Sequence, residues 1–300
     1  MTSRTTAPST HDVVIVGGGH NALVAAAYLA RTGLSVVVLE RLDHLGGAAV
    51  SERPWAGVDA RLSRYSYLVS LLPRTVIDDL GLRIALRRRR YSSYTPDPHA
   101  PDRGILIDTA DAAATASSFA RVTGDPTEAA RFADLGRRLT PAARTLFPTV
   151  TEPLRPASAV RAEIGDELWA DLVERPLGGL IRDSLSTDIA RGIALTDGLI
   201  GTFAAADDPS LRQNRCFLYH VIGGGTGDWD VPVGGMGAVS GELERAARAA
   251  GADLRANQEV LSVSPDGEVR TEGETFRGRV VLSGVGPAVL AELLRAGGAG

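Results

Sequence analysis

Between Asp12 and Gly47 the apolar positions change their spacing twice. Val13, Val14, Ile15 and Val16 form an unbroken apolar run that ends in three glycines. Asn21 to Ala30 is an Ala/Leu-rich stretch of helix formers, and Ser35 to Leu39 is a second apolar run. Short apolar runs flanked by glycine fit strands buried on both faces, as in a parallel sheet, and parallel neighbours need a crossover helix between them. The pattern predicts strand, helix, strand: one βαβ unit.

Beyond Ser51 the pattern loosens, and IALRRRRYSSYTP suggests an extended strand or hairpin. From Asp108 to about Phe203 Ala-rich stretches such as DAAATASSFA and DPTEAARFADLGRRL predict helices, broken by Pro141, Pro148, Pro153, Pro156 and Pro176. After the glycine-rich Gly223 to Gly227 loop, GGMGAVSGELERAARAAGADLRANQEVLSV predicts a helix stopped at Gly251 and two short strands, and Val280 to Ser283 is a further strand. β/α alternation thus resumes. The expected architecture is α/β: a Rossmann-like dinucleotide-binding domain with an inserted, largely helical substrate subdomain. Expected boundaries are a disordered tail over 1–11, the first part of the nucleotide domain over 12–107, the helical subdomain over 108–222, and a return to the nucleotide domain over 223–300.

Composition removes several function classes. The 300 residues are 44% hydrophobic and 23% charged, with a formal net charge of -4. That balance provides no general attraction to nucleic acid. All 32 basic residues are Arg, which excludes Schiff-base chemistry on Lys and a Lys-dependent phosphate loop. Cys216 is the single cysteine, so the chain holds no internal disulfide and no CxxC redox pair. The N-terminal MTSRTTAPST lacks an apolar run, and no segment approaches the ~18 continuous apolar residues of a membrane span, so a cytoplasmic location is expected.

The chemistry that remains lies in VVIVGGGHNALVAA, spaced Gly17-x-Gly19-x-x-Ala22. Gly17 permits the tight turn off the strand, Gly19 lets a pyrophosphate approach the backbone, and Ala22 lets helix and strand pack closely. Phosphates at the helix start meet free N–H groups and the positive end of the helix dipole. Glu40 closes the second strand at the offset, roughly 20 residues on, where an acid accepts the hydroxyls of a ribose without a 2′-phosphate. FAD and NAD both satisfy these positions, and NADP fits poorly. Gly46 and Gly47 in LGGAAVSE then bring a second loop toward the pyrophosphate, which favours FAD.

The run DVVIVGGGHNALVAAAYLARTGLSVVVLERLDHLGGAAVSE, with RLSRYSYLVSLLP at 61–73 and VPVGGMGAVSGEL at 231–243, resembles the carotenoid (phytoene) desaturase-like FAD oxidoreductases. Within them it is most similar to the branch called pyridine nucleotide-disulfide oxidoreductase domain-containing protein 2, whose members share the His20-Asn21 pair. The resemblance implies a Rossmann-like FAD-binding domain in which Gly17, Gly19, Glu40, Arg41 and Gly47 contact FAD. It also implies that the Val260 backbone faces the adenine and that Ser283 and Gly284 form a small-residue stretch near the cofactor. His20, Asn21, Ala22 and Gly46 complete the expected cofactor set. Two features depart from the family: Ala22 replaces the commoner Gly, and the chain ends before the glycine-rich segment that helps enclose the flavin ring, so a C-terminally truncated chain is expected.

No catalytic side chain or metal site is assigned. His20 either contacts the cofactor or fills a free position of the pattern. Tyr65 and Tyr67 orient substrate or simply pack, and packing is favoured. Arg87 to Arg90 form a solvated edge more readily than an anion patch, and Tyr219-His220 and Asp228-Trp229-Asp230 suit structural loops. The expected function is FAD-dependent hydride removal, as in a desaturase or dehydrogenase, from a lipophilic small molecule, with no nucleic-acid partner and with peripheral membrane contact left open. The alternatives are a non-catalytic FAD- or nucleotide-binding regulatory protein and, more weakly, an NAD-dependent dehydrogenase.

Overall fold

A computed structural model of the chain describes residues 8–298. They fall into two compact units, one comprising the described residues through Leu68, Arg74–Leu86 and Val231 onward, the other Val69–Pro73 and Arg87–Asp230. The principal elements in chain order are β1 (Ser9–Val16), α1 (His20–Arg31), β2 (Val36–Leu39), β3 (Tyr91–Asp97), β4 (Ala100–Asp108), α2 (Ala112–Thr123), α3 (Glu128–Leu146), α4 (Leu177–Ser184), α5 (Asp188–Leu199), α6 (Arg212–Val221), α7 (Met236–Ala249), β5 (Asp253–Arg255), β6 (Val260–Val263), β7 (Glu268–Thr271), β8 (Thr275–Ser283) and α8 (Pro287–Ala296).

The first unit is built on a six-stranded sheet of order β6-β7-β8-β1-β2-β5. β8, β1, β2 and β5 are parallel, and β6-β7-β8 form an antiparallel meander. β1 runs down the middle with Val13 opposite both Val36 and Val280, and Val16 opposite both Leu39 and Ser283. Strands covered on both faces need apolar residues at every position, which is why Val13 to Val16 and Val36 to Leu39 are all buried. α1 buries Ala22, Leu23, Ala26, Ala27 and Ala30 on one face, and these small residues let it lie close against β2 and α7.

The second unit is mostly helical. Its core joins Ile105 of β4 and Phe119 of α2 to Leu135, Leu139, Leu177, Ile181 and Phe217 on other helices. Its buried polar groups are tied down. The Asn214 amide donates to the carbonyls of Asp171, Leu172 and Arg175 and accepts from the Leu177 N–H, which closes the one wide helical turn over Ala170–Glu174. The fully buried Glu128 accepts hydrogen bonds from the N–H and hydroxyl groups of Ser186 and Thr187 and pairs with Arg131 at 3.0 Å.

Four details differ from the reading of the sequence. Residues 1–7 of the expected tail lie outside the described residues, but Ser9 to His11 belong to β1, because their backbone pairs with Phe276 to Gly278 of β8. The hairpin β3–β4 is grouped with the helices rather than with the nucleotide unit, so the long segment of the helical unit begins at Arg87 and not near Asp108. The cause is packing: Ile105 enters the helical core, and the Ser118 hydroxyl bonds both the Leu106 N–H and its carbonyl. The glycine loop and residues through Asp230 also stay with the helical unit, past the boundary expected at 222. Pro141 lies inside α3 rather than ending a helix, since Leu135, Leu139, Ala142 and Ala143 are buried on both sides of it and outweigh its missing N–H.

Burial pushes the Glu128 carboxyl pKa up, and hydrogen bonds from Ser186, Thr187 and Arg131 more than reverse that, so it lies below the ordinary glutamate value. A depressed folded-state pKa gives stability that is full above the unfolded value and is lost as pH falls through the folded one. Glu128→Ala leaves the Ser186 and Thr187 N–H groups and the Thr187 hydroxyl without their acceptor, while Arg131 keeps Asp125, and should cost about 1–3 kcal/mol in urea unfolding at neutral pH. Glu128→Gln should lose less and flatten the acid limb of the stability curve.

Candidate functional site

The carboxyl ends of β1, β2 and β8 are laced together through the backbone. The Gly17 N–H donates to Leu39 (2.8 Å), the Gly284 N–H to Val16 (2.7 Å) and the Glu40 N–H to Arg255 (2.9 Å). Each strand therefore delivers its next residue to a common rim. Gly17, Gly284 and Ala22 meet there: a Cβ on Gly17 would lie 2.9 Å from the Val285 side chain, and one on Gly284 would lie 2.8 Å from the Gly17 carbonyl oxygen and 3.1 Å from the Ala22 Cβ. Gly17 also has φ +92°, a conformation that L side chains rarely adopt.

A second loop crosses this rim. The Gly46 N–H donates to the Gly18 carbonyl (2.9 Å), and Gly19 and Gly46 are paired in parallel. Gly47 has φ +60°, and a Cβ there would stand 2.9 Å from the Gly19 Cα. A Cβ on Gly46 would meet the Ser240 hydroxyl at 2.9 Å and Val50 at 3.0 Å. Gly18, not singled out from the sequence, is confined too: a Cβ there would lie 2.8 Å from Leu45 and 3.0 Å from the Glu40 Cβ.

Gly19 is different. Its φ of -68° is open to any residue, and a Cβ would find only the Gly47 Cα, at an ordinary 3.9 Å. The first turn of α1, which starts one residue later, has no side-chain cap, and the N–H groups of His20, Asn21 and Ala22 donate to no acceptor among the described residues. Two other helix starts are filled by side chains, whereas α3, α5, α6 and α8 have no side-chain cap, like α1. Asp111 accepts from the Ala114 N–H at the start of α2 (2.9 Å), and at the start of α7 the Ser63 and Ser51 hydroxyls accept from the Met236 and Gly237 N–H groups (3.0 and 2.9 Å). Open donors at the positive end of a helix, beside a surface of glycines, suit an anion.

Glu40 is buried, with 8% of its surface exposed. Its Oε2 accepts the Gly18 N–H at 2.7 Å and its Oε1 the Leu42 N–H at 3.0 Å. The carboxylate thus fixes the glycine loop as well as ending the strand, and each oxygen keeps one further acceptor direction. The Glu40 carbonyl accepts from the Gln258 N–H (2.7 Å), which places Val260 two residues from the strand end. His20, Asn21, Arg41 and Ser283 are exposed at the same rim, and Arg41 forms no ion pair among the described residues. Sequence reasoning missed Ser51, Ser63 and Ser240, which dock the VPVGGMG segment onto the second loop; Ser240 donates to the Ala49 carbonyl at 2.6 Å. Serine is too common in loops to have drawn attention.

The remaining candidates have structural partners. Tyr65 and Tyr67 are 59% and 63% exposed, and Arg64 lies over the Tyr65 ring. Arg88 pairs with Asp228 at 2.6 Å and Arg90 with Asp108 at 2.9 Å, while Arg89 donates to the carbonyls of Trp229 and Ser92. The arginine run is therefore dispersed over separate partners, and Asp228 is held by a guanidinium and by Thr226.

A family model described as an NAD(P)-binding Rossmann-like domain matches residues 15–76, the glycine loop, Glu40 and the second loop included. The pyridine nucleotide-disulfide oxidoreductase domain-containing protein 2 of Rattus norvegicus is 30% identical over 318 residues, covering 93% of this chain and 54% of the rat protein. The chain is a relative of that group. An uncharacterized protein of Mycobacterium tuberculosis is 48% identical over 297 residues, covering 94% of this chain and 55% of that protein. The chain thus spans little more than half the length of these relatives. Among solved structures, an oxidoreductase from Methanosarcina mazei superposes with a TM-score of 0.59 at 17% identity, over 94% of this chain and 61% of its own. This likeness shows the shared Rossmann-type fold. The name of the rat group mentions a disulfide, yet Cys216 has no second cysteine to pair with in this chain.

Because Glu40 holds two backbone donors with no ligand involved, Glu40→Gln should destabilise the protein itself. One amide oxygen replaces two carboxylate oxygens and one backbone N–H loses its acceptor, a cost of about 1–3 kcal/mol. Thermal unfolding without added nucleotide should show the loss, and an unchanged melting temperature would mean that the carboxylate does not fix the loop.

Proposed function

We propose that the chain binds FAD at the rim of its sheet and works as an FAD-dependent oxidoreductase that removes hydride from an apolar or partly apolar small molecule. The observation that carries the nucleotide reading is Gly19. Its neighbours are glycines because the folded chain leaves them no room, whereas Gly19 faces open space in an ordinary conformation, so the need for glycine there comes from something outside the chain. A pyrophosphate seated on the His20, Asn21 and Ala22 N–H groups supplies that reason.

The acceptor directions left on Glu40 suit the two ribose hydroxyls of an adenosine, and a 2′-phosphate would bring negative charge against a buried carboxylate. FAD is preferred to NAD because the Gly46-Gly47 loop adds a second glycine surface beside Gly19. The names of the rat and archaeal proteins, both oxidoreductases, support the same class. Bound flavin supplies a two-electron acceptor for hydride. The residues present position its ADP half: glycines by yielding space, α1 by its N–H groups, Glu40 by accepting the ribose.

Purified chain incubated with FAD and desalted should keep a flavin absorbance band. Gly19→Ala should leave the cofactor-free melting temperature unchanged or slightly raised, since Gly to Ala at a permissive φ restricts the unfolded chain. The same change should weaken FAD binding by about tenfold or more, equivalent to ~1.4 kcal/mol. A chain that retains no flavin, or a Gly19→Ala variant that binds FAD as well as the parent, would overturn the reading. Displacement of FAD by stoichiometric NAD would move the ligand to a nicotinamide cofactor.

A further inference from the structure

The helical unit holds a half-open cavity of about 470 Å³ whose apolar wall includes Phe132, Leu135, Leu139 and Phe217. That volume lies in the range of small-molecule sites. Two titratable groups in its lining, Asp197 and His220, are half-buried and present polar atoms to it. Neither oxygen of Asp197, on α5, has a hydrogen-bond or ion-pair partner among the described residues. On α6, one turn beyond Cys216, His220 bonds the Cys216 carbonyl through Nδ1 at 2.8 Å. This leaves Nε2 as the lone-pair acceptor of the neutral ring. The imidazole is held in place: it stacks on Trp229 at 5.3 Å, and the Trp229 indole N–H donates to the His220 carbonyl at 3.0 Å.

We propose that this cavity binds a mainly apolar molecule through a single hydroxyl group, which Asp197 and His220 Nε2 hold between them. A hydroxyl is both donor and acceptor, so it complements a carboxyl and an imidazole Nε2 that carry one proton between them. Burial raises the Asp197 pKa and His220 opposes that shift. The other charged group of the lining is Arg89, whose Nε and Nη1 are engaged by the carbonyls of Trp229 and Ser92. Two of its donors are thus committed to backbone carbonyls.

The inference deepens the proposed function by naming its substrate class, and it rests on that reading only for the oxidation of what is bound. Binding is read on the chain in the Trp55→Phe/Trp169→Phe background, so that Trp229 fluorescence reports the cavity, with and without FAD. The probes are octan-1-ol, octanoate, octylamine and n-octane, which share one tail. Octan-1-ol should bind about tenfold more tightly than n-octane and more tightly than either charged probe. Asp197→Leu should erase the preference for octan-1-ol while keeping n-octane binding, and His220→Phe, which keeps the stack on Trp229, should do the same if Asp197→Leu proves unstable.

A preference for octylamine or octanoate, an unchanged ranking in both variants, or no Trp229 response to any probe would overturn the proposal. Loss of the octan-1-ol response with flavin loading intact rejects the cavity alone. Failure to load flavin with the octan-1-ol response intact rejects the FAD reading alone.

Discussion

Two backbone loops approach at the end of β1 until no side chain fits between them. A single carbon added to Gly47 would stand 2.9 Å from the Gly19 Cα, and the pairing of Gly19 with Gly46 holds that separation. Everything at the rim follows from this approach. It requires glycine at positions 46 and 47 of the second loop, with Ser240 of α7 standing against Gly46 from behind. It also requires β2 to end in a residue that fastens the first loop, which Glu40 does through the Gly18 N–H. The 36-residue stretch from Asp12 to Gly47 therefore needs a distant segment, VPVGGMG, before its geometry is complete.

The same constraint explains why the start of α1 carries no side-chain cap. A helix of this sort gains about 1 kcal/mol from a side-chain cap, and this chain takes that gain at α2 from Asp111 and at α7 from Ser51 and Ser63. At α1 the cap position is Gly19, which has no side chain to offer, and Glu40 spends its oxygens on Gly18 and Leu42 instead of the helix. The stability forgone there leaves three N–H groups available, and an anionic ligand is the group that recovers it.

The βαβ unit was legible in the sequence because its signals are local and agree with one another. The all-apolar runs at Val13 to Val16 and Val36 to Leu39, the small-residue face of α1 and the spacing of Gly17, Ala22 and Glu40 are all written within that stretch. What was not legible depends on partners far along the chain. Ser9 to His11 look like a polar tail until β8 pairs with their backbone, and the β3–β4 hairpin belongs with the helices only because Ile105 finds Phe119 and Leu135. Pro141 breaks a local rule that the burial of its neighbours overrides. Gly18 and the serines behind the second loop were overlooked because their importance is steric, and spacing alone does not reveal it.

Buried polar groups in the helical unit sort into two kinds, and the difference separates structure from function there. Asn214 uses its carbonyl and both amide hydrogens on backbone groups, and Glu128 fills its oxygens with the donors of Ser186, Thr187 and Arg131. Such groups fix one arrangement of the chain, since a half-satisfied network in a low-dielectric interior is costly. Gln213 falls one bond short at Oε1, a small defect in an otherwise anchored side chain. Asp197, half-buried, has no partner among the described residues, although burial raises its pKa and it lines the cavity beside a clamped histidine. A carboxyl without a structural bond contributes nothing to the packing of α5, and an apolar residue of similar size would serve the fold better. Its presence is accounted for when the missing partner is a ligand, which is the same reasoning that Gly19 supports at the rim of the sheet.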